Sequence, residues 1–159
     1  MGRRHLIRLA GGYALVLALA VAVPAAAATH ALTWTLLASG QATTGSTQLE
    51  GVLAGSRTAA HRIVVRVPPA AGRTVLKLDY DRRVALAVFG DWGCRAKRVR
   101  ISSIDRTGAT LAVRLTLQPL PPGVMECQAL YPTFLLASLS RTELGRPLPT
   151  RIVVTFARA

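Results

Sequence analysis

Apolar and polar residues alternate along several short segments of the chain, and this pattern predicts β-strands. Every second side chain is apolar in residues 111–117 (LAVRLTL) and in residues 152–156 (IVVTF), which is the period of a strand with one face in a core. Residues 84–89 (VALAVF) are apolar throughout, as in a short strand covered on both faces. A further apolar run spans residues 134–139. Strands spaced by about 8 to 14 residues with turn signals between them predict a mainly β fold, an antiparallel β-sandwich or barrel.

Two glycines after the apolar strand predict a reversal of the chain. Gly90 and Gly93 can adopt the positive φ angles that a tight turn needs. We therefore expect Val84–Phe89 to form a hairpin with the alternating strand at residues 99–101.

Other segments carry weaker signals. Residues 33–37 and 48–53 are separated by a polar turn, so they predict an earlier hairpin. Alternation in residues 76–80 (LKLDY) predicts a strand, and residues 124–130 predict another. Residues 141–150 contain one glycine and two prolines, which predicts a long exposed loop.

Residues 56–67 fit either a strand or a helix. Ile63, Val65 and Val67 alternate with arginines as in a strand. Ala60, Ile63 and Val67 also fall on one helical stripe, and Ser56 or Thr58 is a possible N-cap. One short helix in this region is therefore an option within the mainly β fold.

Residues 1–28 have the features of a secretory signal peptide. Arg3, Arg4 and Arg8 precede an apolar segment that ends in Pro24 and four alanines. Small residues at the end of such a segment suit cleavage after Ala28, with Ala31 as the second choice. The two arginines partly match a twin-arginine export signal. We expect an exported protein whose residues 29–159 form a single domain, with membrane contact only through an uncleaved leader.

The composition is strongly basic. The chain has 20 Lys and Arg against 7 Asp and Glu, a net charge of +13. Without the three leader arginines the balance is 17 basic against 7 acidic residues, a net charge of +10. A basic partner is disfavoured by this charge. Most of the arginines are expected to form a solvated surface, so nucleic acid is not predicted as a partner.

The two cysteines, Cys94 and Cys127, predict one disulfide. An exported chain lies in an oxidising compartment, and two cysteines without CxxC spacing favour a structural disulfide over zinc or redox catalysis.

Catalytic chemistry is not indicated by the sequence. His61 is the one histidine that lies within the predicted domain and away from its start. Asp79 and Asp81 could form an acid/base or metal pair, but Arg82 and Arg83 adjoin them, so ion pairing is the preferred interpretation. The chain has no phosphate loop, HExxH or GxSxG motif. We therefore predict no catalytic residue, no metal and no cofactor.

The predicted hairpin tip is the candidate binding site. Asp91, Trp92, Gly93 and Arg95 place an acid, an aromatic ring and a base in a short reversal, and an exposed Trp beside Arg is a common centre of protein interfaces. Alternatively, Trp92 folds back as a lid over the core, because a small domain needs its aromatic residues for packing.

The order of features from Lys77 to Pro149 resembles the C-terminal domain of the protease-complex subunit (PrcB-like) family of exported bacterial proteins. The resemblance is carried by Asp79/Tyr80, Val84–Phe89 closed by Gly90, the Val99/Ile101 strand, Pro121–Gly123, Gln128/Ala129 and Tyr131/Pro132. Where the family has a turn like Thr-Gly-Gly-Tyr, this chain has Cys94, Arg95, Ala96 and Lys97. The resemblance implies a short helix over Thr58 to Val67 and a non-catalytic role beside a protease.

Two functions follow as hypotheses. The preferred one is a secreted, non-catalytic β domain that binds and stabilises a protein partner, with a protease as one candidate. The alternative is a basic module of the cell envelope that binds anionic polymer or lipid headgroups through its arginines.

Overall fold

The computed structural model describes residues 28–44, 48–125 and 129–157. These residues form two four-stranded sheets, one with the strand order β1-β5-β6-β8 and one with the order β2-β7-β4-β3. The strands are β1 (Thr29–Ala31), β2 (Trp34–Gln41), β3 (Glu50–Ala54), β4 (Arg83–Asp91), β5 (Val99–Thr107), β6 (Thr110–Leu117), β7 (Pro132–Ser140) and β8 (Arg151–Phe156). The prediction of a mainly β, sandwich-like fold is confirmed.

The sheet that contains β4 is covered on both faces, as its apolar sequence predicts. Val84, Leu86 and Val88 point into the core between the sheets. Ala85 and Phe89 belong to a second core on the outer face. Two helices cover this outer face, α1 (Arg57–Val64) and α2 (Pro69–Leu76).

The helix option for residues 56–67 is correct for α1. The Ser56 hydroxyl accepts a hydrogen bond from the N–H of Ala59 at 3.1 Å, which satisfies one of the free donors at the start of the helix. Ala60 and Ile63 lie on the buried face of α1.

The strand predicted at residues 76–80 is wrong. Pro69 occupies the first turn of α2, where its missing N–H costs nothing, and the buried Ala71 and Val75 lie one turn apart. The apolar alternation that follows Val75 belongs to the end of this helix and to the turn after it.

The two predicted hairpins are also wrong. β4 pairs with β3 and β7, whereas β5 pairs with β1 and β6. The 3-10 helix Gly93–Arg98 carries the chain between the sheets. A strand with two apolar faces belongs in the helix-covered sheet, and the alternating β5 belongs in the sheet with a solvated face. Similarly, β2 pairs with β7 and not with β3, because β7 and β4 lie between them.

The strands predicted at residues 111–117, 134–139 and 152–156 are confirmed as β6, β7 and β8. β8 runs parallel to β6, and the other strand pairs are antiparallel. The described part of residues 124–130 is not a strand. The predicted loop at residues 141–150 begins with a short helix, α3 (Arg141–Leu144), whose Leu144 is buried.

One side of the sandwich is closed by the approach of β3 to β8. A Cβ at Gly51 would overlap the side chain of Ile152 and would lie 3.2 Å from Val154. The absence of a side chain at Gly51 therefore lets these two terminal strands cross closely.

Within the described ranges, no helix has both the length and the apolar character needed to cross a bilayer. The predicted signal peptide lies outside the described residues except for Ala28, and so does Cys127 of the predicted disulfide.

Candidate functional site

A cleft of about 300 Å³ opens at one end of the sandwich. It forms where β4, β6 and β8 end and β5 begins, so strand ends from both sheets contribute to it. Its lining consists of Asp91, Trp92, Arg95, Val99, Leu117, Leu130 and Phe156. We call this cleft the end groove.

The wall of the end groove is apolar and accessible. Leu117, Leu130 and Phe156 are 40%, 67% and 38% exposed. Single exposed apolar residues are common on protein surfaces, but several around one concave site indicate an interaction surface.

Trp92 forms the buried floor of the groove. Its side chain is only 6% exposed, and its ring meets that of Phe156 edge to face at 6.4 Å between centroids. The indole also lies over Gly90, where a Cβ would come within 2.7 Å of the ring. Trp92 is therefore a packing residue, as in the alternative that it covers the core.

Two polar atoms near the floor lack hydrogen bonds. Nε1 of Trp92 and Oδ1 of Asp91 are buried, and neither has a partner among the residues that the structure describes. Nε1 lies close to Gly90, where a Cβ would come within 2.7 Å of it. Such groups lower stability.

Gly93 fixes the start of the 3-10 helix against the chain that leads into β7. It has a φ of 51°, and its N–H donates to the carbonyl of Tyr131 at 3.2 Å. A Cβ at this position would overlap the carbonyl oxygen of Ala129. The positive φ predicted at Gly93 is confirmed, whereas Gly90 lies within β4 and has no positive φ.

Three of the four residues proposed from the sequence meet at the end groove. Asp91, Trp92 and Arg95 line it, and Gly93 positions the backbone between them. Sequence reasoning missed its apolar wall. Leu117 and Phe156 are the last residues of two strand patterns, and Leu130 lies in an irregular segment, so no local signal brings them together.

The carboxylate of Asp79 has structural partners. Asp79 lies 3.8 Å from the guanidinium of Arg82, and its Oδ1 accepts a hydrogen bond from the N–H of Asp81. The ion-pair interpretation is confirmed for Asp79 and Arg82. Across the described ranges, no three His, Cys, Asp or Glu side chains form a group that could hold a metal ion.

Tyr80 also makes structural contacts with neighbouring segments. Its hydroxyl donates to the carbonyl of Val75 at 3.1 Å. Burial raises the pKa of this hydroxyl, and the nearby Arg57 opposes the shift. The guanidinium of Arg141 donates to the carbonyls of Tyr80 and Gly55. Arg141, which follows β7, therefore ties the end of β7 to the turn before β4 and to Gly55 ahead of α1.

Glu143 joins α3 to the link between the sheets. Thr33 donates to its carboxylate through its N–H at 2.8 Å and through its hydroxyl at 2.6 and 2.7 Å. These hydrogen bonds lower the pKa of Glu143 below its ordinary value of 4.5. Thr33 lies between β1 and β2, so this contact fixes the crossing of the chain from one sheet to the other.

The helical layer, which we define as residues 56–83, concentrates positive charge. It contains seven basic and two acidic residues, so it holds a net charge of +5. Arg66 is largely buried between the ring of Phe89, at 3.8 Å from the ring centroid, and Glu50, at 2.8 Å. Arg57, Arg62, Arg73 and Lys77 are exposed on this layer.

No protein-family model, curated protein or solved structure matches the chain. The resemblance to the PrcB-like family therefore rests on the sequence features alone and is carried into the proposal below.

Proposed function

We propose that the chain is an exported, non-catalytic β domain that binds a protein partner at the end groove. The exposed Leu117, Leu130 and Phe156 around a rigid aromatic floor are the observation that carries the proposal. Asp91 and Arg95 add one acid and one base to the lining. An apolar centre with charged groups beside it is the usual composition of a protein interface.

The chemistry of the groove favours a protein over a reacting substrate. A cleft of about 300 Å³ is at the lower limit for pockets that enclose a small ligand, while exposed strand ends can contact a larger surface. A protease is one candidate for the partner, because the PrcB-like resemblance implies an accompanying role beside a protease. This identity belongs to the proposal.

Export and a disulfide between Cys94 and Cys127 are part of the same proposal. Gly93, next to Cys94, contacts Ala129, which follows Cys127 by two positions. The contact between Gly93 and Ala129 supports this part of the proposal. A disulfide that closes a loop of this size would add about 3 to 4 kcal/mol of stability and would hold the groove floor in one conformation.

Capture experiments with a matched pair of variants test the groove. The exported domain is immobilised and exposed to the envelope fraction of its own source, and the bound protein is identified by mass spectrometry. Leu130→Ser should weaken capture about tenfold, as expected when an apolar interface contact is lost. Val65→Ser is the control, because Val65, directly after α1, is 68% exposed and Leu130 in the groove is 67% exposed. An equal loss of capture in both variants would contradict binding at the end groove.

The charge of the helical layer favours one alternative function, the binding of anionic lipid headgroups or envelope polymer. Arg73 lies on α2, Lys77 follows one turn later directly after the helix, and both are exposed. In this alternative, Arg73→Gln/Lys77→Gln lowers binding to anionic vesicles, and wild-type binding falls steeply between about 50 and about 200 mM salt, because released counterions drive it.

A further inference from the structure

β2 is a long strand at the end of its sheet, and it is protected by a bulge but by neither charge nor proline. Its sequence, WTLLASGQ, contains no charged residue and no proline. Natural edge strands are typically short, charged, bulged or covered, since exposed edges pair with other chains. β1 has only three residues, and β3 and β8 lie against each other. Among the terminal strands of the described sheets, β2 is the longest, and its contacts include β7, the 3-10 helix Gly93–Arg98 and α2.

The hydrogen-bonding register shows which backbone groups of β2 face outward. The N–H of Ala42 donates to the carbonyl of Pro132 across the β2-β7 pair. In an antiparallel ladder the inward-facing residues alternate with outward-facing ones. Ser39 and Gln41 therefore point their N–H and C=O groups away from β7.

These outward groups are open to a partner. Ser39 and Gln41 are both exposed, and no described residue hydrogen-bonds to their main chain. A bulge between Leu36 and Ala38 interrupts the strand, so the regular part of the edge is Ala38 to Gln41. Its two outward residues lie about 6.8 Å apart, which is the repeat of an antiparallel strand.

We propose that the Ala38 to Gln41 edge of β2 receives an extended segment of an acidic protein partner, which adds a fifth strand to this sheet. Strand addition supplies affinity through main-chain hydrogen bonds and specificity through alternate side chains. This edge is separate from the end groove, so the inference does not depend on the groove.

Charge selects an acidic partner over a second copy of the chain. Residues 29–159 have a net charge of +10, so two copies repel each other, whereas an acidic segment is attracted. Helix α2 packs beside β2. Arg73 on that helix and Lys77 directly after it are exposed and have no ion-pair partner among the described residues. The helix that packs beside β2 therefore carries exposed positive charge.

Hydrogen exchange of single amides tests this inference. The probe is a short capped peptide in which Glu and Val alternate, and the comparison peptide has Lys in place of Glu. With the Glu peptide in excess, the amides of Ser39 and Gln41 should exchange at least about tenfold more slowly, while amides at the β8 end of the other sheet should not change. The Lys peptide should give no protection.

A matched pair of variants assigns the protection to the edge. Ser39→Pro removes an outward N–H that is not part of the β2-β7 ladder, so the fold is retained, and the Glu peptide should no longer protect Gln41. Ser39→Ala keeps the N–H and should behave as wild type.

Three results would overturn the inference. One is unchanged exchange at Ser39 and Gln41 in the wild-type protein with excess Glu peptide. Another is equal protection by the Lys peptide. The third is protection without any peptide together with a doubled mass in sedimentation equilibrium, because a second copy would then occupy the edge. None of these results would affect capture through Leu130, so failure here is distinguishable from failure of the groove.

Discussion

At the scale of single residues, Trp92 shows how the groove acquires a rigid floor. Its ring is enclosed by Gly90 and Phe156, and it is 6% exposed. The residue thus contributes packing energy, and the exposed contacts of the groove come from its neighbours. The unpartnered Nε1 offsets part of this gain.

We expect Trp92→Ala to destabilise the domain by about 3 to 5 kcal/mol, as is usual when a buried large aromatic is removed. Trp92→Phe should cost much less, because a ring remains and no buried N–H is left without a partner. Urea unfolding measures both. A Trp92→Ala protein of wild-type stability that no longer captures the partner would mean that Trp92 is itself the contact residue.

Gly93 offers a second test, with Gly108 as its control. Both have positive φ angles, 51° and 57°, but a Cβ at Gly93 would overlap the Ala129 carbonyl, whereas a Cβ at Gly108 meets no atom within 4 Å. Gly108→Ala should cost about 1 to 2 kcal/mol through backbone strain alone. Gly93→Ala should cost clearly more in the same unfolding experiment, and equal costs would argue against the close contact between these segments.

At the scale of elements, the sequence pattern predicts which faces are buried better than it predicts which strands are neighbours. A two-residue period identified β6 and β8, and the fully apolar run identified β4 as a strand with two covered faces. β4 pairs with β7, and Gly90 lies opposite Thr133, which is 43 positions later in the chain. No local signal in the sequence predicts this pairing. Helix α2 was missed because the apolar residues around its end also alternate.

The same limit applies to the candidate site. Asp91, Trp92, Gly93 and Arg95 are close in sequence, so their proximity was predictable. Leu117, Leu130 and Phe156 come from distant parts of the chain, and only the stacking of the two sheets brings them to one cleft.

The contact between Thr33 and Glu143 makes stability depend on pH. The pKa of Glu143 is lowered in the folded protein, so the stabilisation is present above 4.5 and is lost as the pH falls through the lowered pKa. Thr33→Val removes the hydroxyl donor and should be less stable than wild type at neutral pH. The difference should shrink as the pH falls below 4.5.

Urea unfolding at a series of pH values measures this trend, with Thr33→Ser as the control that keeps a hydroxyl. A stability difference that stays constant down to acid pH would show that the threonine acts through packing and not through the carboxylate.

At the scale of the whole molecule, the sandwich separates two kinds of surface. The end groove is apolar, while the helical layer holds +5 of the +10 net charge of residues 29–159. Each surface suits a different class of partner, so the two functional hypotheses predict different variants and a different response to salt.

The predicted disulfide is also tested on the whole molecule. Intact mass should increase by the mass of two alkyl groups only after reduction, and Cys94→Ser should lower the melting temperature, because the cross-link restricts the unfolded chain. Alkylation of two thiols in the native, unreduced protein would contradict the pairing of Cys94 with Cys127.

The central claim is that a protein partner binds at the end groove, and the dissociation constant of the captured partner tests it most directly. We predict about tenfold weaker binding for Leu130→Ser, wild-type affinity for Val65→Ser and for Arg73→Gln/Lys77→Gln, and only a small change between about 50 and about 200 mM salt. Wild-type affinity for Leu130→Ser, with a steep loss of binding in salt and in the Arg73→Gln/Lys77→Gln variant, would contradict the claim and assign binding to the helical layer.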